Sequence, residues 1–354
     1  MNVMNPDLAA PDTDAAIELT ARDFTTDQEV RWCPGCGDYA VLKAVRGVLA
    51  EAGRRPDDVV FISGIGCAAR FPYYLASYGF HTIHGRAPAV ATGVKMANPD
   101  LDVWVVGGDG DFLSIGGNHL MHALRRNVDL NLIMPNNAVY GLTKGQYSPA
   151  SATGMRSPSS PAGSVEAPVN AALLALGAGG RFIARSADTL QDHLPGVLKA
   201  AQAHRGASFV EILQNCVVFN DGAFEAVRDK GLTADRTLRL EHGQPMIFGK
   251  DRDKGILVDW QTGTARVVPV GDGGPVYDVT VHDQTNLALA TILARMDAPD
   301  LPLALGVLYH VPADDFTAQR ADAPGRVMDR ATLAGLLAAG KTWTVGEAAA
   351  RTQT

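Results

Sequence analysis

Two polar residues, Asp109 and Asn137, are of types that could give oxygen ligands to a metal ion. Asp109 lies within Gly108-Asp109-Gly110, and 26 residues separate Gly110 from Asn137. Mg²⁺ prefers carboxylate and amide oxygens, and the flanking glycines let backbone N–H groups approach a phosphate. A Gly-Asp-Gly tripeptide by itself is more often an ordinary turn. The pair at this separation instead predicts a diphosphate held through magnesium.

The chain has four cysteines, Cys33, Cys36, Cys67 and Cys216. A disulfide framework is not expected in a cytoplasmic protein. The spacing of Cys33 and Cys36 alone leaves a zinc site, a redox pair and two packed thiols open. Cys67 follows a predicted strand, as Asp109 does, and four thiolates can hold a 4Fe-4S cluster that passes single electrons. This context favours iron and sulfur over zinc, although the sequence leaves the position of Cys216 open.

Strands and helices alternate in the part of the chain that must position these residues. Apolar runs predict buried strands at 59–63, 103–106, 130–134 and 209–213, and helical spacing predicts helices at 39–52 and 118–126. The strands end in Gly or Asn loops, which predicts an α/β fold with a parallel sheet. Ligands of such sheets lie beyond the carboxyl ends of the strands. Asp109, Asn137 and Cys67 are therefore expected at one edge.

The sequence divides into three parts by its texture. Residues 1–28 are polar and predict a tail, 29–225 hold the motifs and predict the main domain, and 226–354 predict an extension that packs on that domain or on a partner. The stretch 148–168 is rich in Ser, Pro, Ala and Gly and predicts a long loop. Within the extension, a hairpin is predicted at 256–275 and a helix at 287–295.

Composition excludes several classes of protein. The net charge of −7 and the lack of a basic stripe argue against nucleic-acid binding. No apolar run reaches the roughly 18 residues of a membrane span, and the first twenty residues lack the pattern of a secretory signal. A cytoplasmic protein with no membrane partner is therefore expected.

Seven segments together resemble the β subunit of the 2-oxoacid:ferredoxin oxidoreductases, especially the 2-oxoglutarate type. They are Trp32-Cys33-Pro34-Gly35-Cys36-Gly37, Gly64-Ile65-Gly66-Cys67, His84-Gly85-Arg86, Gly108-Asp109-Gly110-Asp111, Ser114-Ile115-Gly116-Gly117-Asn118-His119, Leu124-Arg125-Arg126-Asn127 and Tyr140-Gly141-Leu142-Thr143-Lys144-Gly145-Gln146. The Gly-Asp-Gly and Asn spacing matches the thiamine-diphosphate signature. Ala68-Ala69 stands where relatives commonly have Ser-Ser, and Pro135 where they have Phe, which puts local hydroxyl contacts and loop shape in question.

The resemblance implies a set of site residues. The four cysteines would bind a 4Fe-4S cluster, and Asp109, Asn137 and the carbonyl of Val139 would bind Mg²⁺. Arg70 and Lys144 are candidates for gripping a substrate carboxylate. The residues implied to line thiamine diphosphate are Ile65, Gly66, Cys67, Ala68, His84, Gly110, Asp111, Gly141 and Leu142.

The resemblance also implies an activity that needs a partner. The expected reaction is oxidative decarboxylation of 2-oxoglutarate with coenzyme A, giving an acyl-CoA and carbon dioxide, with electrons passing through the cluster to ferredoxin. An α subunit would supply the catalytic Glu, in a heterodimer or a dimer of heterodimers. Two alternatives stay open: the same chemistry on pyruvate or another 2-oxoacid, and a non-catalytic interaction subunit stapled by zinc.

Overall fold

The computed structural model describes residues 18–271, 279–297, 299–321 and 330–340. The strands are β1 (Val59–Ser63), β2 (Tyr78–His81), β3 (Asp102–Val106), β4 (Leu130–Asn136), β5 (Phe182–Ala187), β6 (Ala207–Leu213), β7 (Thr237–Arg239), β8 (Ile247–Phe248), β9 (Lys254–Asp259), β10 (Thr264–Pro269) and β11 (Leu303–His310). The helices are α1 (Asp38–Glu51), α2 (Ala87–Ala97), α3 (Gly117–Arg125), α4 (Ala171–Gly177), α5 (Leu194–Ala203), α6 (Glu225–Arg228), α7 (Thr233–Arg236), α8 (Leu287–Ala294), α9 (Phe316–Ala321) and α10 (Arg330–Ala338).

Within these described ranges, eight strands form one sheet in the order β2-β1-β3-β4-β6-β5-β11-β7. The first six are mutually parallel, and β11 runs antiparallel to β5. Every residue of β1, β3, β4, β5 and β6 is buried, as expected when helices cover both faces of a parallel sheet. The predicted α/β class is confirmed, and so are the predicted strands β1, β3, β4 and β6.

Helices cover the two faces of the sheet with separate apolar cores. Helices α1 and α5 bury one stripe each, including Val45 and Leu198, against side chains such as Phe61 and Trp104. Helices α2, α3, α4 and α8 pack on the other face around residues such as Leu132 and Phe209. Because successive strand residues point to opposite faces, one buried strand supplies both cores. None of the helices in the described part of the chain combines the length and apolar composition needed to cross a bilayer.

The C-terminal part of the chain joins the main sheet instead of standing beside it. Strands β7 and β11 lie after residue 226, and the described residues up to Thr317 form one compact unit. The predicted boundary at 226 falls inside this unit. The predicted hairpin is found as β9 and β10, with its last residues, 272–275, outside the described residues. The second unit spans 318–354. Among its described residues, α10 lies wholly within this unit, whereas α9 begins before it.

The start of the described chain also packs on the domain. Residues 1–17 of the predicted tail lie outside the described residues, but Phe24 is fully buried and Thr25 pairs with Leu75. The end of the predicted tail is therefore part of the folded domain, since a fully buried Phe contributes on the order of 2 kcal/mol of burial free energy.

Candidate active site

The loops that follow β1, β2, β3 and β4 enclose a small cavity at the carboxyl edge of the sheet. Its volume is about 90 Å³. It is lined by every residue predicted to contact thiamine diphosphate or its metal: Ile65, Gly66, Cys67, Ala68, His84, Asp109, Gly110, Asp111, Asn137, Val139, Gly141 and Leu142. The parallel topology explains this convergence, because each of these loops leaves the same edge.

Asp109 places a carboxylate at the floor of this cavity. Its side chain is buried and accepts a hydrogen bond from the Ser148 hydroxyl. Burial raises the pKa of Asp109 to about 6, and the hydrogen bond from Ser148 limits the rise. A nearby cation would stabilise the ionised form of this carboxylate.

The loop that carries Asn137 is held in an unusual conformation. Ala138 adopts φ 53°, a left-handed conformation that residues with a Cβ rarely adopt. Three contacts fix it: the Ala138 N–H donates to Asn136 Oδ1 at 3.0 Å, and the Ala138 carbonyl accepts from Ser151 Oγ at 2.5 Å and Asn220 Nδ2 at 3.3 Å. Asn220 Nδ2 also donates to the carbonyl of Asn137 at 2.9 Å. The strained turn therefore fixes the backbone on both sides of Asn137.

Asp111 ties three loops of the site together. Its Oδ1 accepts the backbone N–H of Ile65 at 3.1 Å and that of Gly85 at 2.9 Å, and it contacts Nδ1 of His84. Its Oδ2 is buried with no partner among the described residues. A Cβ at Gly64 would lie 1.9 Å from that oxygen, so only glycine leaves room for the carboxylate there. Asp111 thus fixes the position of His84 as well as lining the cavity.

The segment after Asn137 closes the cavity with a tight turn. Tyr140 donates its hydroxyl to the carbonyl of Gly110 at 3.0 Å, and its backbone N–H donates to the Gln146 carbonyl at 2.9 Å. A Cβ at Gly110 would lie 2.2 Å from the Tyr140 ring, so the close approach requires glycine. Leu142 sits in this turn with half of its surface exposed, which leaves an apolar side chain at the mouth of the cavity.

The structure brings the cysteine-bearing loops together beside this cavity. A Cβ built on Gly141 would lie 3.5 Å from Cys67 Sγ and 3.7 Å from Cys216 Sγ. Cys36 accepts a hydrogen bond at 3.3 Å from Gln214, two residues before Cys216, and the Cys36 N–H donates to the Cys33 carbonyl. The indole of Trp32 donates to the Cys67 carbonyl at 2.8 Å. The position of Cys216, which the sequence left open, is therefore next to Cys67.

The thiols lie in an environment that opposes ionisation unless a cation is present. Burial raises the pKa of Cys67 to about 12, with further contributions from Asp38, Cys216 and Cys33. Burial and then Asp38 raise the pKa of Cys36 as well. Burial also raises the pKa of Asp38 to about 7. Thiolates become favourable at such a place only when iron or another metal compensates their charge.

No three His, Cys, Asp or Glu side chains within the described ranges converge closely enough to hold a single metal ion. A tetrahedral zinc bound at about 2.3 Å requires its sulfur ligands to be nearly in contact with one another. A cluster holds its thiolates around a larger body. Four thiolates on these loops could hold such a cluster.

The two candidates for binding a substrate carboxylate lie outside the cavity lining. Arg70 is half-buried, and its Nε donates to the Tyr74 hydroxyl at 2.9 Å. Lys144 is exposed and has φ 78°, the left-handed conformation, in the turn that follows Gly141. Arg70 and Lys144 both lie next to loops that line the cavity. Their roles as carboxylate ligands stay predictions.

Several residues that support the site were missed by reasoning from the sequence. Ser148 donates to Asp109, Ser151 and Asn220 hold the loop that carries Asn137, and Asp38 and Gln214 contact Cys36. Most come from loops with no regular pattern, which explains why periodicity gave no signal. Gln214 and Asn220 had one, because both lie within four residues of Cys216.

Comparison with known proteins gives consistent results. The family model described as "Thiamine pyrophosphate enzyme, C-terminal TPP binding domain" matches residues 64–212. The chain is 47% identical over 335 residues to the 2-oxoglutarate oxidoreductase subunit KorB of Mycobacterium tuberculosis, covering 92% of this chain and 88% of that protein. It is 46% identical over 198 residues to 2-oxoacid:ferredoxin oxidoreductase 1, subunit beta, of Aeropyrum pernix, covering 56% of this chain and 62% of that protein.

A solved structure extends the similarity to the whole fold. The 2-oxoglutarate:ferredoxin oxidoreductase from Magnetococcus marinus, solved with 2-oxoglutarate, coenzyme A and succinyl-CoA bound, matches with a TM-score of 0.72 and 32% identity. The match covers 91% of this chain and 97% of that one. The predicted resemblance is thus confirmed, and the chain belongs to the family of 2-oxoacid:ferredoxin oxidoreductase β subunits.

Proposed function

We propose that this chain is the β subunit of a 2-oxoglutarate:ferredoxin oxidoreductase and carries both the diphosphate site and a 4Fe-4S cluster. The observation that carries this proposal is the position of Gly141. The Cβ of any larger residue there would lie within 4.0 Å of two cysteine sulfurs and of Asn137 Nδ2. An electron carrier at the cysteines would thus lie next to the cofactor that releases the electrons.

Asp109, the side chain of Asn137 and the carbonyl of Val139 would hold Mg²⁺. These groups offer the hard oxygens that this ion prefers, and the left-handed turn at Ala138 fixes the loop before binding. Magnesium would also relieve the cost of keeping the Asp109 carboxylate ionised in a buried place, which its raised pKa reflects.

Cys33, Cys36, Cys67 and Cys216 would hold the 4Fe-4S cluster. Cys33 is exposed, whereas the other three are partly buried. The cluster would therefore reach the surface at Cys33 and the cofactor cavity at Cys67. This arrangement suits the passage of electrons from the cavity outward to an external ferredoxin.

Thiamine diphosphate, when bound, supplies the carbanion chemistry that removes carbon dioxide from a 2-oxoacid. The chain's own residues position the cofactor and shield it. Ile65 and Leu142 give the cavity mouth apolar walls, and Asp111 holds His84 at the side of the cavity. Coenzyme A and 2-oxoglutarate are bound in the similar enzyme from Magnetococcus marinus, and we assign the same co-substrate and substrate here.

A partner subunit completes this active site. The catalytic Glu of the reaction is expected on an α subunit, and an assembly of α and β chains would close the cavity. Exposed apolar side chains on and around β2 support this view; we name them the apolar rim, which consists of Tyr73, Tyr78, Phe80, Ile83 and Ile115. Exposed apolar groups of this kind mark interaction surfaces more often than free surfaces.

Anaerobic purification with the co-expressed partner tests the proposal. We expect about four iron atoms per chain and an absorbance at about 400 nm that dithionite bleaches. Zinc without iron would support the interaction-subunit alternative instead. A panel of 2-oxoacids with coenzyme A and ferredoxin decides the substrate, and a preference for pyruvate over 2-oxoglutarate would contradict the assignment.

A further inference from the structure

A second cavity lies behind the loop that carries Asn137. Its volume is about 640 Å³, and its walls include residues from β4, β5 and β6. The segment 135–139 separates the two cavities: Pro135, Asn137 and Val139 line the smaller one, whereas Asn136 and Ala138 line the larger. The larger cavity therefore contacts the loop that carries Asn137 from the side opposite the cofactor cavity.

A buried guanidinium faces this cavity with donors to spare. Arg185 lines the cavity, and its side chain is only 5% exposed. Its Nε donates to Glu211 Oε2 at 2.7 Å, but Nη1 is buried without an acceptor among the residues that the structure describes. The other oxygen of Glu211 accepts from Asn136 Nδ2 at 2.8 Å. Leaving a buried charged donor unpaired is unfavourable, so the site favours an incoming acceptor.

The rest of the lining indicates what kind of molecule carries that acceptor. Arg236 and Arg295 add two more guanidinium groups, although Arg236 lies 3.9 Å from Glu225, and the carboxylates of Glu211, Glu225 and Asp297 also line the cavity. Met155, Met296 and Leu303 supply apolar surface. The volume falls within the roughly 300–1,000 Å³ of small-molecule sites and far exceeds the space needed by an inorganic ion. Arginine recognises planar carboxylates and phosphate groups through paired N–H donors.

We propose that this cavity binds a small organic oxyanion, whose carboxylate or phosphate group accepts hydrogen bonds from the free guanidinium nitrogens of Arg185. Its apolar body would lie against Met155 and Leu303. This site is distinct from the cofactor cavity, and its existence does not depend on the proposed function.

Binding of an oxyanion in the larger cavity would act on the loop that carries Asn137 through a short chain of hydrogen bonds. Arg185 holds Glu211, Glu211 holds Asn136, and Asn136 Oδ1 accepts the N–H of Ala138 at 3.0 Å. An anion that shifts Arg185 would thus change the position of Ala138, the residue next to Asn137. This coupling rests on the proposed function, and by linkage magnesium and the oxyanion would change each other's affinity by the same factor.

Calorimetric titration of the full-length chain tests the site, with thiamine diphosphate and magnesium present at saturation so that the cofactor cavity is filled. The two probes are inorganic phosphate and succinate, which separate a phosphate ligand from a carboxylate ligand. We expect at least one probe to bind, and the double variant Arg185→Met/Glu211→Gln to weaken it by about tenfold or more. The double change removes the buried charges together and keeps an acceptor for Asn136.

A second variant guards against misfolding. Arg295 is exposed, so we expect Arg295→Gln to keep the fold and weaken the same probe by about threefold. The matched control is Arg266→Gln, an exposed arginine on β10 that does not line the cavity. Absence of binding for both probes, or equal binding by wild type and the double variant, would overturn the proposal. Thiamine diphosphate binding in the same samples reports separately on the proposed function.

Discussion

At the scale of single residues, Gly141 leaves the space in which the cysteine sulfurs and Asn137 come close. A Cβ there would make only ordinary van der Waals contact with Cys67 Sγ and Cys216 Sγ at 3.5 and 3.7 Å. The bare protein chain therefore tolerates alanine at this position, whereas iron and sulfide between the cysteines would leave less room.

We predict that Gly141→Ala leaves the melting temperature of the metal-free chain nearly unchanged but lowers its iron content or shifts the reduction potential of the bound cluster. Iron analysis and a redox titration followed by absorbance measure these effects. The matched control is Gly47→Ala in α1, where nothing lies within 4 Å of the added Cβ. Unchanged iron content and potential in Gly141→Ala would argue against a cluster at these cysteines.

Asp109 gives a second prediction at this scale. Burial raises the pKa of Asp109 to about 6, so above that pH the metal-free fold carries the cost of a buried carboxylate. We expect Asp109→Asn to stabilise the metal-free chain at pH 7.5 by about 1–3 kcal/mol while abolishing the stabilisation by thiamine diphosphate with magnesium. Thermal unfolding with and without both ligands measures this, and Asp100→Asn, at an exposed position, is the control. An undiminished ligand effect in Asp109→Asn would remove its role.

Arg70 tests how the substrate is recognised. Its Nε is occupied by the Tyr74 hydroxyl, which leaves its terminal nitrogens for a carboxylate. We expect Arg70→Met to raise KM for 2-oxoglutarate by about tenfold or more with little effect on iron content. Steady-state kinetics of the assembled enzyme measure this. If KM stays unchanged, Arg70 is a structural partner of Tyr74.

Reasoning from the sequence placed Asp109, Asn137 and Cys67 at one edge because each follows a strand whose apolar run is clear, whereas His84 and the other residues expected to line thiamine diphosphate came from the family resemblance. Asp109 and Asn137 come directly after β3 and β4, so the parallel topology alone brings them together. Ser148 and Asn220 belong to loops, where only the folded backbone decides which side chain reaches Asp109 or Asn137. No local pattern encodes such contacts.

At the scale of elements, the edge where β5 meets β11 contains a histidine that makes stability depend on pH. His204 is buried at the end of α5, with its ring 5.5 Å from Phe182 and 5.1 Å from His310. Its Nε2 has no partner in the described part of the chain. Burial, followed by the nearby His310, lowers the pKa of His204 to about 4.

The pKa of His204 is lower in the folded chain than in the unfolded chain, so folding favours the neutral imidazole. The contribution of His204 to the free energy of unfolding is therefore lost as pH falls from about 6.5 towards 4. We expect the wild-type chain to lose about 2 kcal/mol through His204 between pH 7 and pH 5, and His204→Phe to lose correspondingly less. Urea unfolding at both pH values measures the difference. An equal loss in wild type and variant would contradict the assignment.

Elements after residue 226 could not be placed from their sequence. Strand β7 is three residues long and β11 joins β5 from a distant part of the chain. Such pairings are set by which sheet edge stays open after the central strands assemble, and a short apolar run does not reveal its partner. Strand β2 was missed for a related reason. Its sequence, Tyr-Gly-Phe-His, is not a continuous apolar run like those of its neighbours, and all four residues are exposed.

At the scale of the whole molecule, the apolar rim predicts a subunit interface. Ile83 is 77% exposed and directly precedes His84, which lines the cofactor cavity. We expect Ile83→Asp to weaken association with the α subunit by about tenfold or more without lowering the melting temperature of the free chain. Size-exclusion chromatography over a range of concentrations measures this. Val267→Asp, on β10, controls for charge at an exposed apolar position; equal assembly by both variants would rule out this surface.

Strand β2 ends the sheet with a row of four exposed residues whose outer backbone groups no strand of the described chain covers. Such a border can recruit any extended peptide, including a second copy of itself. A cell that makes this chain in excess of the α subunit would accumulate aggregates of it. We therefore expect the two genes to need balanced expression, and recombinant yield to depend more on co-production than on temperature or induction strength.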